Sequence, residues 1–317
     1  MKTVEHIFII NPAAGAFDST HMIEDAIAKS KSAAACKVYC TKGPGDATAY
    51  VAAKCAKSSS PVRFYSCGGD GTLNEVVNGA INFSHASVGC FPCGSGNDFV
   101  KYYGGAEGFL DIDNQINGIE CPIDLIRAGN KYCINVCDFG FDTAVVKTME
   151  KVKKHKMSSG KRAYFIGVVK ALFNSMKTRC KVVVDGEIIC SDSLLLCTVA
   201  NGRYVGSSFQ CAPRSINDDG LLEICLVKPV SRFTFLSLAK YYTRGEHLDN
   251  PKFKDFMIYR RGKRLSIEGD DSFAYTLDGE IINENRANIE VVEKAINFII
   301  PRGVDTAQDD TLLAMNL

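Results

Sequence analysis

A chain of 317 residues with 46% hydrophobic and 23% charged content, 27 Gly and only 9 Pro has the make-up of an ordinary globular protein of one large or two medium domains, which excludes collagen, coiled coil and disorder. No apolar run approaches the roughly 18 residues needed to cross a bilayer, and a net charge of +1 implies no nucleic-acid partner. The fourteen cysteines are scattered through apolar stretches with no secretion signal ahead of them, and read as reduced, largely buried thiols.

The first 127 residues alternate strand-like and helix-like stretches. VEHIFII predicts a strand ended by Asn11-Pro12, and Asp18 is placed to cap a helix whose Met22, Ile23, Ala26 and Ile27 share a face. KVYCT predicts a second strand, Asp46 caps a second helix running to Lys57, and Pro61 opens a third strand, VRFYS. The chain then turns through CGGDG into TLNEVVNGAI, where Leu73, Val76, Val77 and Ala80 repeat at helical spacing, and a fourth strand, SVGCF, follows. This is the pattern of a parallel sheet covered by helices, in which ligands bind at the carboxyl ends of strands.

Beyond about Arg127 the pattern becomes β-rich. IRAGNKYCI and KVVVDGEIIC read as hairpins, the second around Asp185-Gly186. Strands are expected at SLLLCTVA, LLEICLV, DFMIYRRGKRLSIEG, SFAYTLDG and NIEVVEKAINFII, with helices at about 162–177 and 231–243. In the first of these helices Tyr164, Phe165, Ile166, Val168, Val169, Leu172 and Phe173 read as core, with a lipid slot as the alternative. The fold class is therefore an α/β domain with a mainly parallel sheet, followed by a largely antiparallel β domain. Between Lys147 and Lys181 stand eleven Lys/Arg against Glu150 alone, so this stretch carries +10 and the rest of the chain −9. Such a segment is either a solvated helix face or a surface for anions.

Five turns are candidates for chemistry. Gly68-Gly69-Asp70-Gly71-Thr72, with Asn74 and Glu75 directly after, lets the backbone approach a ligand and places a helix N-terminus behind an anion. The alternative is a tight strand-to-helix turn with Asp70 and Thr72 as caps. Pro92-Cys93-Gly94-Ser95-Gly96-Asn97-Asp98 follows the fourth strand and Asn11-Pro12-Ala13-Ala14-Gly15 the first. Leu277-Asp278-Gly279-Glu280 is either a plain hairpin or a source of a carboxylate for deprotonating an alcohol, and Asn217-Asp218-Asp219-Gly220-Leu221 either a turn or a cation site. A Walker phosphate loop, a G-x-G-x-x-G opening a first helix, the protein-kinase signatures and a G-x-S-x-G elbow are all missing. Cys90 and Cys93 form a C-x-x-C without the second pair that a zinc site would want.

IINPAAG, CGGDGTLNEVVNG, PCGSGNDF and LDGE, in this order, resemble the diacylglycerol kinase catalytic family, specifically the bacterial soluble lipid kinases. GGDGT alone is shared with NAD kinases and, as a variant, phosphofructokinases, whereas NEVVNG, G-x-G-N-D-F and a terminal LDGE are far more specific. The resemblance implies a phosphofructokinase-like domain over 1–127, a β-sandwich over 128–289, and a tail from about 290–317 returning to the first domain, with ATP in the cleft between them. Carried onto this sequence, Asn11, Pro12, Ala13, Ala14, Gly15, Thr41, Gly68, Gly69, Asp70, Gly71, Thr72, Leu73, Asn74, Glu75 and Ser95 would contact the nucleotide. Glu280 would be the general base with Asp278 beside it, and Asp70, Asp98 and Asp124 would form an acidic network around magnesium and water. Asp219, with the carbonyls of Ile216 and Leu221, matches a structural magnesium site. Ala14 stands where relatives often have Ser, and Ser95 where they commonly have Thr.

The activity so implied is ATP-dependent, magnesium-assisted phosphorylation of diacylglycerol or a similar lipid alcohol. The enzyme would be cytoplasmic, a possible homodimer, and in peripheral contact with a membrane through Lys151, Lys153, Lys154 and Lys156 during turnover. Two other readings use the same cradle: a kinase for a soluble acceptor such as NAD, and a nucleotide-binding regulator without catalysis.

Overall fold

A computed structural model describes residues 4–154, 160–174 and 176–305. The chain divides into two units, Met1–Asp124 with Glu293–Leu317, and Leu125–Val292.

The first unit opens with β1 (Glu5–Ile10), α1 (Thr20–Lys29), β2 (Cys36–Cys40), α2 (Asp46–Ala56), β3 (Val62–Gly68), α3 (Asp70–Ala80) and β4 (Ala86–Pro92). A short α4 (Ile112–Ile116) precedes β5 (Ile119–Ala128). The strands pair in parallel in the order β2, β1, β3, β4, and Asn297 and Phe298 from the end of the chain add beside Ser87 and Val88 of β4. Strands β1, β3 and β4 are almost wholly buried, as strands covered by helices on both faces must be, whereas edge strand β2 is largely exposed. Their core joins Phe8, Ile10, Tyr65, Cys67 and Phe91 to Ile23 and Ile27 of α1.

Two helix starts differ from expectation. Asp18 accepts from the Thr20 amide at 2.9 Å, so it ties down the residue that opens α1 rather than capping its first turn. Asp46 is itself the first residue of α2 and accepts from the Lys42 amide and Tyr39 hydroxyl, both at 2.9 Å. The cap it was expected to supply comes instead from Glu75 of α3, whose carboxylate accepts from the Gly45 and Ala47 amides at 2.8 and 3.2 Å.

The second unit holds the β6 (Lys131–Cys133) partner of the β5 hairpin, then β7 (Val136–Gly140), α5 (Phe141–Lys154), α6 (Gly160–Asn174), β8 (Thr178–Val184), β9 (Glu187–Cys190), β10 (Ser193–Leu194), β11 (Leu196–Ala200) and β12 (Leu222–Val227). It continues through α7 (Arg232–Thr243), β13 (Met257–Gly262), β14 (Arg264–Gly269), β15 (Tyr275–Leu277), β16 (Glu280–Ile282) and β17 (Arg286–Ile300), which carries the chain back to the first unit. One antiparallel sheet runs β13, β12, β11, β7, β15, β16. A second pairs β8 with β9, β10 and β14, and β14 with the first part of β17. Val199, Ile224 and Tyr275 of one face Val182, Leu265 and Ile289 of the other in a shared core, which makes this unit a sandwich.

The run DFMIYRRGKRLSIEG, expected as one strand, is split at Gly262-Lys263 between the two sheets, because the Asp185 carboxylate accepts from the Lys263 and Arg264 amides and forces the turn. Helix α5 was not anticipated. Its Phe141 and Val145 pack with Ala171 of α6 and Phe235 of α7 against Leu195, Leu196 and Val227, on the side of the six-stranded sheet away from the sandwich core. Val169 and Phe173 of α6, expected as core, are exposed, the latter by 64%. The side chains of Tyr164 and Phe165, and of Lys153, Lys154, Lys156, Lys161 and Arg162 in the cationic stretch, lie outside the described residues. All fourteen cysteines are free, and burial pushes the Cys67, Cys90 and Cys133 thiols well above their usual range. No helix among the described residues is long and apolar enough to cross a membrane.

Candidate active site

Three of the turns meet at the carboxyl ends of β1, β3 and β4. The Asn11 amide donates to Cys67 O at 2.9 Å, the Cys93 and Gly94 amides both donate to Gly68 O, and the Asn11 side chain donates to Thr72 Oγ1 at 3.0 Å. These loops approach so closely that side chains are excluded between them. A Cβ on Gly94 would stand 2.3 Å from Gly69 Cα, and one on Gly15, whose φ is +78°, 2.3 Å from Cys93 O. Asn97, itself at φ +50°, clasps the loop by accepting from the Gly94 amide and donating to its carbonyl, both at 3.0 Å. Gly71, by contrast, borders open space, and Ser95 is exposed on the rim.

Helix α3 starts inside this knot of glycines, so its first amides, which have no intrahelical acceptors, and the positive end of its dipole lie where β3 ends. Asp70 Oδ1 accepts from the Phe99 amide at 3.1 Å, which ties the start of α3 to the turn after β4. Thr41, at the end of β2, donates its amide to Ile10 O at 2.8 Å and so borders the same strand ends. The geometry suits an anion with several oxygens, such as a polyphosphate, held chiefly by main-chain groups.

Not every expected nucleotide contact faces the cradle. Leu73 is a core side chain whose amide donates to Gly69 O, and Glu75 is turned onto the N-terminus of α2. Along α3 the face of Leu73 and Val76 is buried, whereas Glu75 lies on another face and is drawn to the amides that open α2.

The acidic residues expected around magnesium are each engaged by protein. Asp98 pairs with Lys101 Nζ at 2.5 Å. Asp124 is wholly buried and accepts from the Lys294 amide at 2.7 Å, which supports a positive φ of 48° at that residue of β17. Asp219 accepts from the Leu221 amide and pairs with Arg261, whose Nε also reaches Glu223 at 2.7 Å. Among the described residues no group of three or more His, Cys, Asp or Glu is placed to hold a metal ion. The Arg261 guanidinium is the cation beside the Asp219 carboxylate. At the cradle, magnesium fits best as part of the incoming substrate, since it commonly binds through substrate phosphates with only one or two carboxylates.

In the second unit, Leu277 to Glu280 forms the tight hairpin between β15 and β16, with Asp278 at φ +47° and Gly279 at φ +85° as the two central residues of a type I′ turn. The Asp278 carboxylate accepts from the amides of Ile134, Asn135 and Val136 at 2.8 to 3.0 Å and from the Cys133 thiol at 2.9 Å. It pins the turn to the strands before it. Glu280, the next position to begin a strand, is exposed. This difference in surroundings between the two acids was not readable from LDGE.

The family model described as the diacylglycerol kinase catalytic domain matches residues 5–128, and the one described as the YegS C-terminal NAD kinase beta sandwich-like domain matches residues 135–300. The chain is 29% identical over 276 residues to the diacylglycerol kinase of Bacillus subtilis strain 168, covering 86% of this chain and 88% of that one. It is 27% identical over 303 residues to the diacylglycerol kinase of Staphylococcus carnosus, covering 95% and 96%. The crystal structure of a diacylglycerol kinase from Bacillus anthracis superposes with a TM-score of 0.69 at 21% identity, over 95% of this chain and 98% of that one, and so shares the fold.

Proposed function

The chain belongs to the diacylglycerol kinase family of lipid kinases, and on that premise we propose that it transfers the γ-phosphate of ATP to the hydroxyl of diacylglycerol or a closely similar lipid alcohol. The observation that carries the donor half of this reading is the knot of turns 11–15, 68–72 and 93–97 around the start of α3. Main-chain amides at a helix N-terminus hold phosphate oxygens in fixed positions, and phosphoryl transfer asks a protein chiefly for such positioning and charge stabilisation. ATP enters as its magnesium complex. The acceptor oxygen attacks the γ-phosphorus, the bond to the β–γ bridging oxygen breaks, and Glu280 takes the hydroxyl proton, leaving a lipid phosphomonoester and ADP.

The test is ADP release measured over a panel of lipid alcohols in mixed micelles, with NAD as the soluble competitor and mass analysis of the products. Turnover of diacylglycerol to its phosphate is expected; conversion of NAD with no lipid product, or nucleotide binding with no acceptor at all, would refute the reading. The cradle is tested separately by Gly94→Ala. Because the new methyl would meet backbone at 2.3 Å, the loops must part, with a stability loss of about 1–3 kcal/mol. Calorimetric titration with a non-hydrolysable ATP analogue should show at least a tenfold weaker affinity. Unchanged binding would place the nucleotide elsewhere.

A further inference from the structure

Strands β6 and β7 are joined by only Ile134 and Asn135, and this link is gripped from two sides. On one side stands the turn that presents Glu280. The Asp278 carboxylate accepts from the amides of Ile134, Asn135 and Val136, and the Asp278 amide donates to Val136 O at 3.0 Å. On the other side stands the loop that follows β11. The Asn201 side chain donates to Ile134 O at 2.9 Å, and the Asn201 and Gly202 amides donate to Asn135 O at 2.9 and 3.0 Å. The Asn135 side chain completes this second grip, donating from Nδ2 to Tyr204 O at 2.9 Å.

The loop is itself anchored. Arg203 Nε donates to Ser215 O at 3.0 Å, and Ser215 Oγ donates to Asn201 O at 2.8 Å. Beyond Tyr204, the amides of Val205 and Phe209 donate to each other's carbonyls at 2.9 and 3.0 Å. The loop therefore offers the link a fixed reference.

Asn135 is a poor choice for stability alone. It is 4% exposed, and its Oδ1 accepts no hydrogen bond from the described residues, an arrangement that carries a desolvation penalty. Oδ1 is instead wedged against Gly202, where a Cβ would collide with it. A small apolar side chain would avoid the penalty but could not hold Tyr204. Polar groups that break a packing rule in this way call for an explanation, and functional sites are where such violations are expected.

We propose that the Asn135 side chain is a positioning residue for phosphate transfer: it ties the 134–136 link to Tyr204, and through Asp278 this fixes where Glu280 stands, without touching substrate. The proposal rests on the reading of Glu280 as the general base. A misplacement of about 1 Å caused by a remote change costs about 10² in rate.

The test is a double-mutant cycle on kcat for diacylglycerol, built from Asn135→Ala and Glu280→Gln. A residue that acts only through Glu280 has no further effect once the base is gone, whereas one that merely supports the fold has the same effect in both backgrounds. Asn135→Ala alone should lower kcat by about tenfold to 10²-fold, with affinity for a non-hydrolysable ATP analogue within twofold of the parent. In the Glu280→Gln chain it should lower kcat by less than about twofold. Gly202→Ala, which pushes on the same amide, should behave alike. Equal losses in both backgrounds, or an Asn135→Ala chain that turns over as the parent does, would overturn the proposal. Asn135→Ser, too short to reach Tyr204, takes the place of alanine if that chain fails to fold; failure of both would make the residue structural and overturn it as well. Hydrogen exchange reads the positioning without turnover. Amides from Thr276 to Ile282 should exchange at least about tenfold faster in Asn135→Ala while those of β12 keep their rates, and unchanged exchange at the turn would overturn the proposal even in an active kinase. If Glu280→Gln leaves kcat unchanged, the base reading falls and this proposal with it; if Glu280→Gln lowers kcat and the Asn135 loss is additive, only this proposal falls.

Discussion

Glu280→Gln is expected to lower kcat by about 10² to 10⁴ while affinity for a non-hydrolysable ATP analogue stays within twofold of the parent, because a general base acts only as the acceptor proton moves. The substitution keeps the size of the side chain and its ability to accept a hydrogen bond, and removes its capacity to take a proton. Glu280 is exposed at the first position of β16, so stability should not change by more than about 0.5 kcal/mol. The measurement pairs steady-state turnover of diacylglycerol with calorimetric nucleotide binding. A variant that turns over at close to the parental rate would remove Glu280 from the role of base, and one that loses nucleotide binding would make it a ligand contact instead.

Asp278→Ala acts through a different physical effect. Three amides and a thiol lose one carboxylate, and a hydrogen bond to a charged group contributes about 1.5–3 kcal/mol, non-additively within one network. The expected loss is about 3 kcal/mol, which for a unit of this size lowers its melting temperature by about 6–12 °C. Turnover should fall with it, because the type I′ turn that presents Glu280 is no longer fixed. Asp278→Asn, which keeps two lone pairs toward the same amides, should recover part of both. Differential scanning calorimetry beside kinetics separates the two acids. If Asp278→Ala melts as the parent does and only kcat falls, the residue belongs to the chemistry rather than to the turn.

What the amino-acid order revealed depended on how local each determinant was. The strands and helices from Glu5 to Pro92 were legible because their apolar periods are punctuated by Asn11-Pro12, Gly43-Pro44-Gly45 and the glycine turns, all within a few residues of the ends they mark. Asp185-Gly186 and Asp278-Gly279 were legible as hairpin turns for the same reason, and both show positive φ at their two central residues. The clasp of Glu75 on α2 was not legible because its partners, Gly45 and Ala47, lie about thirty residues upstream and no local pattern reports them. The break between β13 and β14 is likewise imposed from Asp185, some eighty residues away. Helix α5 does carry a local signal, Phe141, Val145 and Met149 at intervals of four, set within a run of lysines that masks the apolar period. The partners of the three acids lie beyond what motif spacing reports: Lys101 beside Asp98, Arg261 beside Asp219 and the Lys294 amide on Asp124.

Because Glu75 clamps α2 to α3, the wall behind the turns at 68–72 is braced in the free chain, ahead of the nucleotide that the proposed function brings there. Little main-chain freedom remains to be frozen on capture, so encounter should be governed by diffusion and charge rather than by a slow rearrangement of this wall. Cutting that brace with Glu75→Ala would show itself in the association rate, leaving the identity of the bound nucleotide untouched.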